Sequence, residues 1–193
     1  LALILVKKGY SVSGSDPKQN PSIEELSKHG VRIFKEQKRK NITRILQERN
    51  IAPRIVISTA IPNNNPELQE ALDNNLEILH RSKILAHLVG EQPSIAVTGT
   101  HGKTTTSTFI TTLLASTNQD PTVVIGGIVP CYESNAHFGK GRLLIAEADE
   151  SDGTLVDVEP DLGLITNLEL DHTDHYTNLE ELIKTMTTFG EGC

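Results

Sequence analysis

Ser94-Ile-Ala-Val-Thr-Gly-Thr-His-Gly-Lys-Thr-Thr105 joins a short apolar strand to a helix through a loop that holds two glycines. Glycines let backbone N–H groups turn inward toward phosphate oxygens, and a helix N-terminus adds the positive end of its dipole. Lys103 supplies a point charge for the terminal phosphates, and the Thr104 hydroxyl is expected on Mg²⁺. Gly99, Thr100, His101, Gly102, Lys103, Thr104 and Thr105 are therefore the candidate residues for a nucleoside triphosphate, with ATP and Mg²⁺ as the expected pair. The general pattern has a glycine five positions before the Gly-Lys pair, and Val97 stands there instead. The competing view is that Gly-Lys-Thr merely caps a helix. Threonine is a mediocre helix former, so propensity does not account for the run that follows Lys103. Lys103 is expected to face solvent while the loop is empty.

Strand and helix alternate along the whole chain, which implies an α/β fold with a parallel sheet and right-handed crossovers. Leu1 to Val6 reads as the back of a helix stopped by Gly9, and Tyr10 to Ser15 as a strand ending at Asp16. Helices are expected at 23–29, 42–49, 67–75 and 84–89, with strands at 31–34, 55–57 and 76–79. Gly90-Glu-Gln-Pro93 is the linker candidate, because the pattern restarts at Ser94. Beyond it, a helix is expected from Thr104 to Ser116, and strands at 122–125, 143–146 and 162–166. A last helix is expected at 178–189. The expected domains are 1–90 and 94–193. Asp16 ends a strand where a ribose hydroxyl could bind, without the glycine loop that should precede it. The opening without Met, inside an apolar stretch, and the end just after a helix read as an internal or truncated piece of a longer chain.

Composition excludes more than it identifies. The net charge is −7 over 193 residues. The basic cluster Lys35-Glu-Gln-Lys-Arg-Lys40 reads as a solvated turn, so no nucleic-acid or anionic-membrane surface is expected. Leu1 to Val6, the longest apolar run, is far short of the ~20 residues of a spanning helix. A soluble, cytoplasmic protein is the expectation. Cys131 and Cys193 lack metal or disulfide spacing, and His29, His80, His87 and His137 lack chemical company.

Two strand ends carry chemistry. Leu143-Leu-Ile-Ala runs into Glu147-Ala-Asp-Glu-Ser-Asp152, and Leu164-Ile-Thr-Asn into Leu168-Glu-Leu-Asp-His-Thr-Asp-His175. In a parallel sheet both segments leave the carboxyl edge that also bears the phosphate loop. Glu147 and His172 are the candidate donors for a divalent cation, together with Thr104. The alternative is an acidic surface loop without a ligand.

Taken together, Thr-Gly-Thr-His-Gly-Lys-Thr-Thr-Thr106, the acidic segment from Glu147 and Thr166-Asn-Leu-Glu-Leu-Asp-His172 resemble the Mur ligases of bacterial peptidoglycan synthesis. Gly9-Tyr-Ser-Val-Ser-Gly-Ser-Asp16 and Val56-Ile-Ser-Thr-Ala-Ile-Pro-Asn-Asn-Asn-Pro66 extend the likeness over nearly the whole chain. The resemblance implies a partial Rossmann-like N-terminal domain for a UDP-sugar, then a truncated P-loop ATPase-type central domain, with a C-terminal domain absent. It implies that ATP activates the carboxylate of UDP-N-acetylmuramate for attack by the amine of L-alanine. Lys103, Glu147 and His172 would then be catalytic, and Ser58, Thr59, His101, Glu150, Ser151 and Asp152 would line the substrates. Ser151, where a peptide-adding relative typically has Tyr, favours L-alanine over a peptide as acceptor. A non-catalytic nucleotide-binding module is the reading from another class. The piece by itself is expected to be nearly inactive, since amide formation needs a closed, water-poor site.

Overall fold

The computed structural model of the chain describes residues 1–18, 20–151, 153–171 and 175–193. It divides into two compact units, Ala2–Arg81 and Ser82–Cys193.

In the first unit, helix α1 (Ala2–Lys7) ends where Gly9 takes φ +90°, the left-handed conformation that glycine adopts without cost. Strand β1 (Ser13–Ser15) pairs in parallel with β2 (Arg32–Phe34), and β3 (Ile55–Ile57) with β4 (Ile78–His80). The strand read from Tyr10 is thus only three residues long, because its partner offers only three. Among the described residues the two pairs are assigned as separate two-stranded parallel sheets.

Helix α2 (Pro21–Lys28) is capped by Asn20, and α3 (Arg39–Glu48) begins three residues before the apolar pattern does. Helix α4 (Pro66–Asp73) is capped by Asn65, whose side-chain oxygen accepts from the N–H groups of Glu67 and Leu68. Proline at the first helical position loses no hydrogen bond there.

Polar side chains knit this unit together. The Glu67 carboxylate accepts from Ser15 Oγ at 2.5 Å and from Asn41 Nδ2 at 2.7 Å, and Asn65 Nδ2 donates to Gln37 Oε1 at 2.8 Å. Asn41 and Asn65 are buried, so these bonds satisfy amides that would otherwise be costly to desolvate. Asn65→Ala removes the cap and one network member. A loss of about 1–2 kcal/mol is expected, read as a shift in the urea midpoint.

In the second unit, helix α5 (Arg81–Gly90) leads into a five-stranded sheet. Its strands are β5 (Ser94–Thr98), β6 (Thr122–Val129), β7 (Ser134–His137), β8 (Leu144–Glu147) and β9 (Leu162–Ile165), in the order β7-β6-β8-β5-β9. All pairings are parallel except that of β6 with β7. Ala96 and Val97 of β5 and Leu144, Ile145 and Ala146 of β8 are wholly buried, as expected of central parallel strands covered on both faces.

Helix α6 (Lys103–Ser116) packs on β5, β6 and β8. Helix α7 (Leu179–Glu191) buries Leu182, Met186 and Phe189 at helical spacing and packs on β9 and a 3-10 turn at Thr154–Asp157. Among the described residues, no helix is long and apolar enough to cross a membrane.

The hairpin of β6 and β7 departs from expectation. The strand expected at 122–125 continues as β6 through Gly126-Gly127 to Val129, with a register shift between Val124 and Val129. Ser134-Asn-Ala-His is too polar to read as a strand, but it pairs along the edge. Tyr132 stacks on His137 with ring centroids 3.8 Å apart, and His137 Nε2 lies 2.8 Å from Asp120 Oδ1. The Lys140 backbone N–H, and then His137, hold the Asp120 carboxyl below the usual carboxylate range.

Candidate active site

Strand β5 is flanked in its sheet by β8 and β9, both parallel to it, so the segments leaving the carboxyl ends of all three meet at one edge. Thr98 ends β5 fully buried. Gly99 follows with φ +122°, and Gly102 at φ +81° occupies the position before the first turn of α6. Among the described residues no side chain caps that helix, so the N–H groups of Lys103, Thr104 and Thr105 are open to an acceptor at the loop mouth.

Gly99 is required for a steric reason as well as a conformational one. A Cβ there would lie 2.3 Å from Thr166 Oγ1 and 2.9 Å from the Asn167 carbonyl oxygen. The close approach exists because the segment after β9 clasps the loop. Thr166 Oγ1 donates to the carbonyl of His101 at 2.6 Å, and Asn167 Oδ1 accepts from the His101 N–H at 2.9 Å. Thr100 Oγ1 donates to the Glu169 carbonyl at 2.9 Å and accepts from its N–H at 3.0 Å. Nothing in the residue types of Thr166 and Asn167 points to a role at the loop. Only the folded register reveals that they shape the loop.

Lys103 does not face solvent, contrary to the expectation from the loop alone. Its ammonium donates to the carbonyls of Gly99 at 2.6 Å and Thr100 at 3.3 Å and to Glu150 Oε1 at 2.9 Å. The Lys103 side chain is 15% exposed and that of Glu150 only 1%. Glu150 was expected to face substrate, and here its carboxylate is inside the protein, against Lys103. The turn after β8 swings it inward, and Tyr176 Oη fixes its backbone by donating to the Glu150 carbonyl at 2.5 Å.

At the end of β8, Thr104 Oγ1 lies 3.1 and 2.9 Å from the two oxygens of Glu147, and the Gly126 N–H donates to Glu147 at 2.9 Å. The glycine pair makes room for this contact. A Cβ on Gly126 would come within 2.9 Å of Glu147 Oε1, and one on Gly127 within 2.6 Å of Thr104 Cγ2. The structure therefore brings Thr104 and Glu147 together. His172 and Asp152 lie outside the described residues.

Of the other candidates, Thr105 is exposed on the first turn of α6, and His101 is exposed with Nε2 3.6 Å from Glu169 Oε2. Ser151 is half-buried, its N–H donating to Asp149 at 3.0 Å. Ser58 and Thr59 belong to the first unit, in the turn that follows β3, where the Ser58 carbonyl accepts from Ile61 N. Among the described residues, no group of three or more His, Cys, Asp or Glu side chains could hold a metal. The Thr104 hydroxyl and the Glu147 carboxylate are nonetheless hard oxygen donors of the kind Mg²⁺ accepts beside phosphate and water.

Residues 1–92 match the family model described as the Mur ligase family catalytic domain, and residues 97–193 match the Mur ligase middle domain. A UDP-N-acetylmuramate–L-alanine ligase of Prochlorococcus marinus strain MIT 9313 is 63% identical over all 193 residues, which are 40% of its own length. One of Synechococcus sp. strain CC9902 is 59% identical over all of this chain and 41% of its own. The crystal structure of the UDP-N-acetylmuramate–alanine ligase of Thermotoga maritima superposes with a TM-score of 0.85 at 26% identity, covering 99% of this chain and 44% of that one. The chain spans about 40% of the length of the curated relatives it matches. With both of its units matched in order, this chain belongs to the Mur ligase family.

Proposed function

We propose that the protein to which this chain belongs is an ATP-dependent ligase that joins L-alanine to the carboxylate of UDP-N-acetylmuramate. The observation that carries the proposal is the meeting, at the carboxyl edge of one sheet, of an uncapped helix N-terminus, the Lys103 ammonium and the Thr104–Glu147 oxygen pair. Identity above 55% to proteins named as L-alanine ligases of this kind supports the choice of substrates. The reactants, ATP and a nucleotide sugar, are those of the cytoplasm.

The residues fit the polyphosphate chain of ATP. The N–H groups of Lys103, Thr104 and Thr105 supply the cradle, and Gly99, Thr100, His101 and Gly102 shape it. Lys103 neutralises charge on the β- and γ-phosphates. Thr104 and Glu147 would hold Mg²⁺, with His172 as a further donor, and the ion when bound withdraws charge from the γ-phosphate oxygens.

The muramyl carboxylate oxygen attacks the γ-phosphorus, and the bond to the ADP oxygen breaks. The L-alanine amine then attacks the acyl carbon, inorganic phosphate leaves, and the amine loses a proton as the amide forms. Electrostatic stabilisation and positioning supply most of the rate, and both depend on the clasp that Thr166 and Asn167 place on the loop. Ser58 and Thr59 are assigned to the UDP-sugar, and His101, Ser151 and Asp152 to the side where sugar and amino acid meet. Glu150, being buried, is assigned to Lys103 instead of substrate.

The test is product analysis on the full-length enzyme supplied with ATP, Mg²⁺ and UDP-N-acetylmuramate. The acceptor is either L-alanine or the L-alanyl-γ-D-glutamyl-meso-diaminopimelate tripeptide. One amide, one ADP and one phosphate per turnover with L-alanine is the expected result. Turnover with the tripeptide alone, or phosphate release without amide, overturns the assignment.

A further inference from the structure

We propose that Glu150 is a positioning residue of the phosphate loop: its carboxylate holds the Lys103 ammonium, and nucleotide phosphates compete with it for that ammonium. The inference rests on the ATP-binding reading and deepens it. A lysine ammonium has three protons, and those of Lys103 are directed at the Gly99 carbonyl, the Thr100 carbonyl and Glu150 Oε1. Two of these acceptors belong to the loop itself. The third reaches in from the segment after β8 and is the only one of the three that is charged.

Glu150 is well placed to hold a fixed point. It is wholly buried, and its backbone carbonyl accepts from Tyr176 Oη at 2.5 Å and from the Gly153 N–H at 3.2 Å. The backbone that carries its carboxylate is thus held by its own turn and by the Tyr176 segment, and cannot move with the lysine toward a ligand without breaking these bonds. A carboxylate 2.9 Å from the ammonium also offsets, at short range and away from water, much of the charge the lysine would offer to phosphate. The pair thus fixes where the ammonium sits and lowers what it contributes to binding.

Two substitutions separate these effects. Glu150→Gln keeps an oxygen acceptor of the same reach but removes the charge, so the lysine stays in place and is freed toward phosphate. Glu150→Ala removes both. Calorimetric titration of the chain with ATPγS and Mg²⁺ is expected to show about tenfold tighter binding for Glu150→Gln, the difference between a charge-assisted and a neutral hydrogen bond, and no tightening for Glu150→Ala. A buried pair serving the fold alone would lower the melting temperature of both variants without tightening either.

Unchanged or weaker binding by folded Glu150→Gln, with normal binding by the unsubstituted chain, overturns the role of Glu150 alone. Failure of the unsubstituted chain to bind ATPγS overturns the phosphate-loop reading and this inference with it. If Glu150→Gln does not fold, the ¹⁵N resonance of the Lys103 ammonium in the unsubstituted chain, assigned by its loss in Lys103→Arg, takes its place. A signal protected from exchange in the empty chain that shifts on adding ATPγS is expected, and a signal that does not move overturns the proposal.

Discussion

Lys103→Ala is expected to lose ATP binding by at least a hundredfold and also to weaken the fold by about 3–5 kcal/mol. The first effect follows from removing the point charge of the loop, since hydrogen bonds from an ammonium to phosphate are among the stronger ones proteins make. The second follows from burial. Glu150, 1% exposed, would keep its carboxylate inside the protein after its cationic partner is gone, and breaking one side of a buried pair costs far more than the pair contributes. Nucleotide titration and a urea melt read the two effects separately. A variant that binds ATP normally would remove Lys103 from the site, and one with unaltered stability would remove the buried pair from the fold.

The second large effect is expected at Gly99. A Cβ at this position meets Thr166 Oγ1 at 2.3 Å and backbone atoms of Asn167 at 2.9 and 3.0 Å, and the φ of +122° is one that only glycine adopts readily. Backbone atoms cannot rotate out of the way as a flexible side chain would. Gly99→Ala therefore combines conformational strain with overpacking, a loss of about 3–5 kcal/mol, and pushes the loop off the Thr166–Asn167 clasp. Gly102→Ala is the control. Its φ is +81°, but among the described residues a Cβ there has nothing within 4 Å, so only the strain of about 1–2 kcal/mol is expected. Equal melting temperatures for the two alanine variants would show that the close approach at Gly99 is not a constraint.

The strand-loop-helix at Ser94–Ser116 could be read directly, because its apolar strand, paired glycines and Lys-Thr each have a local physical meaning. Glu147 was legible for the same reason, as a carboxylate at the end of an apolar strand. Its neighbour Glu150 was not. Four carboxylates fall within Glu147–Asp152, and which of them faces the site and which turns inward depends on the course of the backbone after β8 rather than on residue type. The orientation of Lys103 depended on Glu150 and was hidden with it.

The β6–β7 hairpin was missed: the expected strand stopped at 125, just before Gly126-Gly127. Those glycines are instead what lets the strand pass beside Glu147 and Thr104. The first unit was legible as strand and helix in alternation. Its separation into two short sheets rests on pairings of three residues each, which no local pattern specifies.

Amide chemical-shift mapping of the ¹⁵N-labelled chain titrated with Mg²⁺ and ATPγS tests the phosphate-loop assignment most directly. Saturable shifts concentrated on Gly99–Thr105, with Gly126 and Glu147 following as the Thr104 contact rearranges, are the expected result. Saturable shifts that leave Gly102–Thr105 unmoved, or no saturation at all, would contradict it.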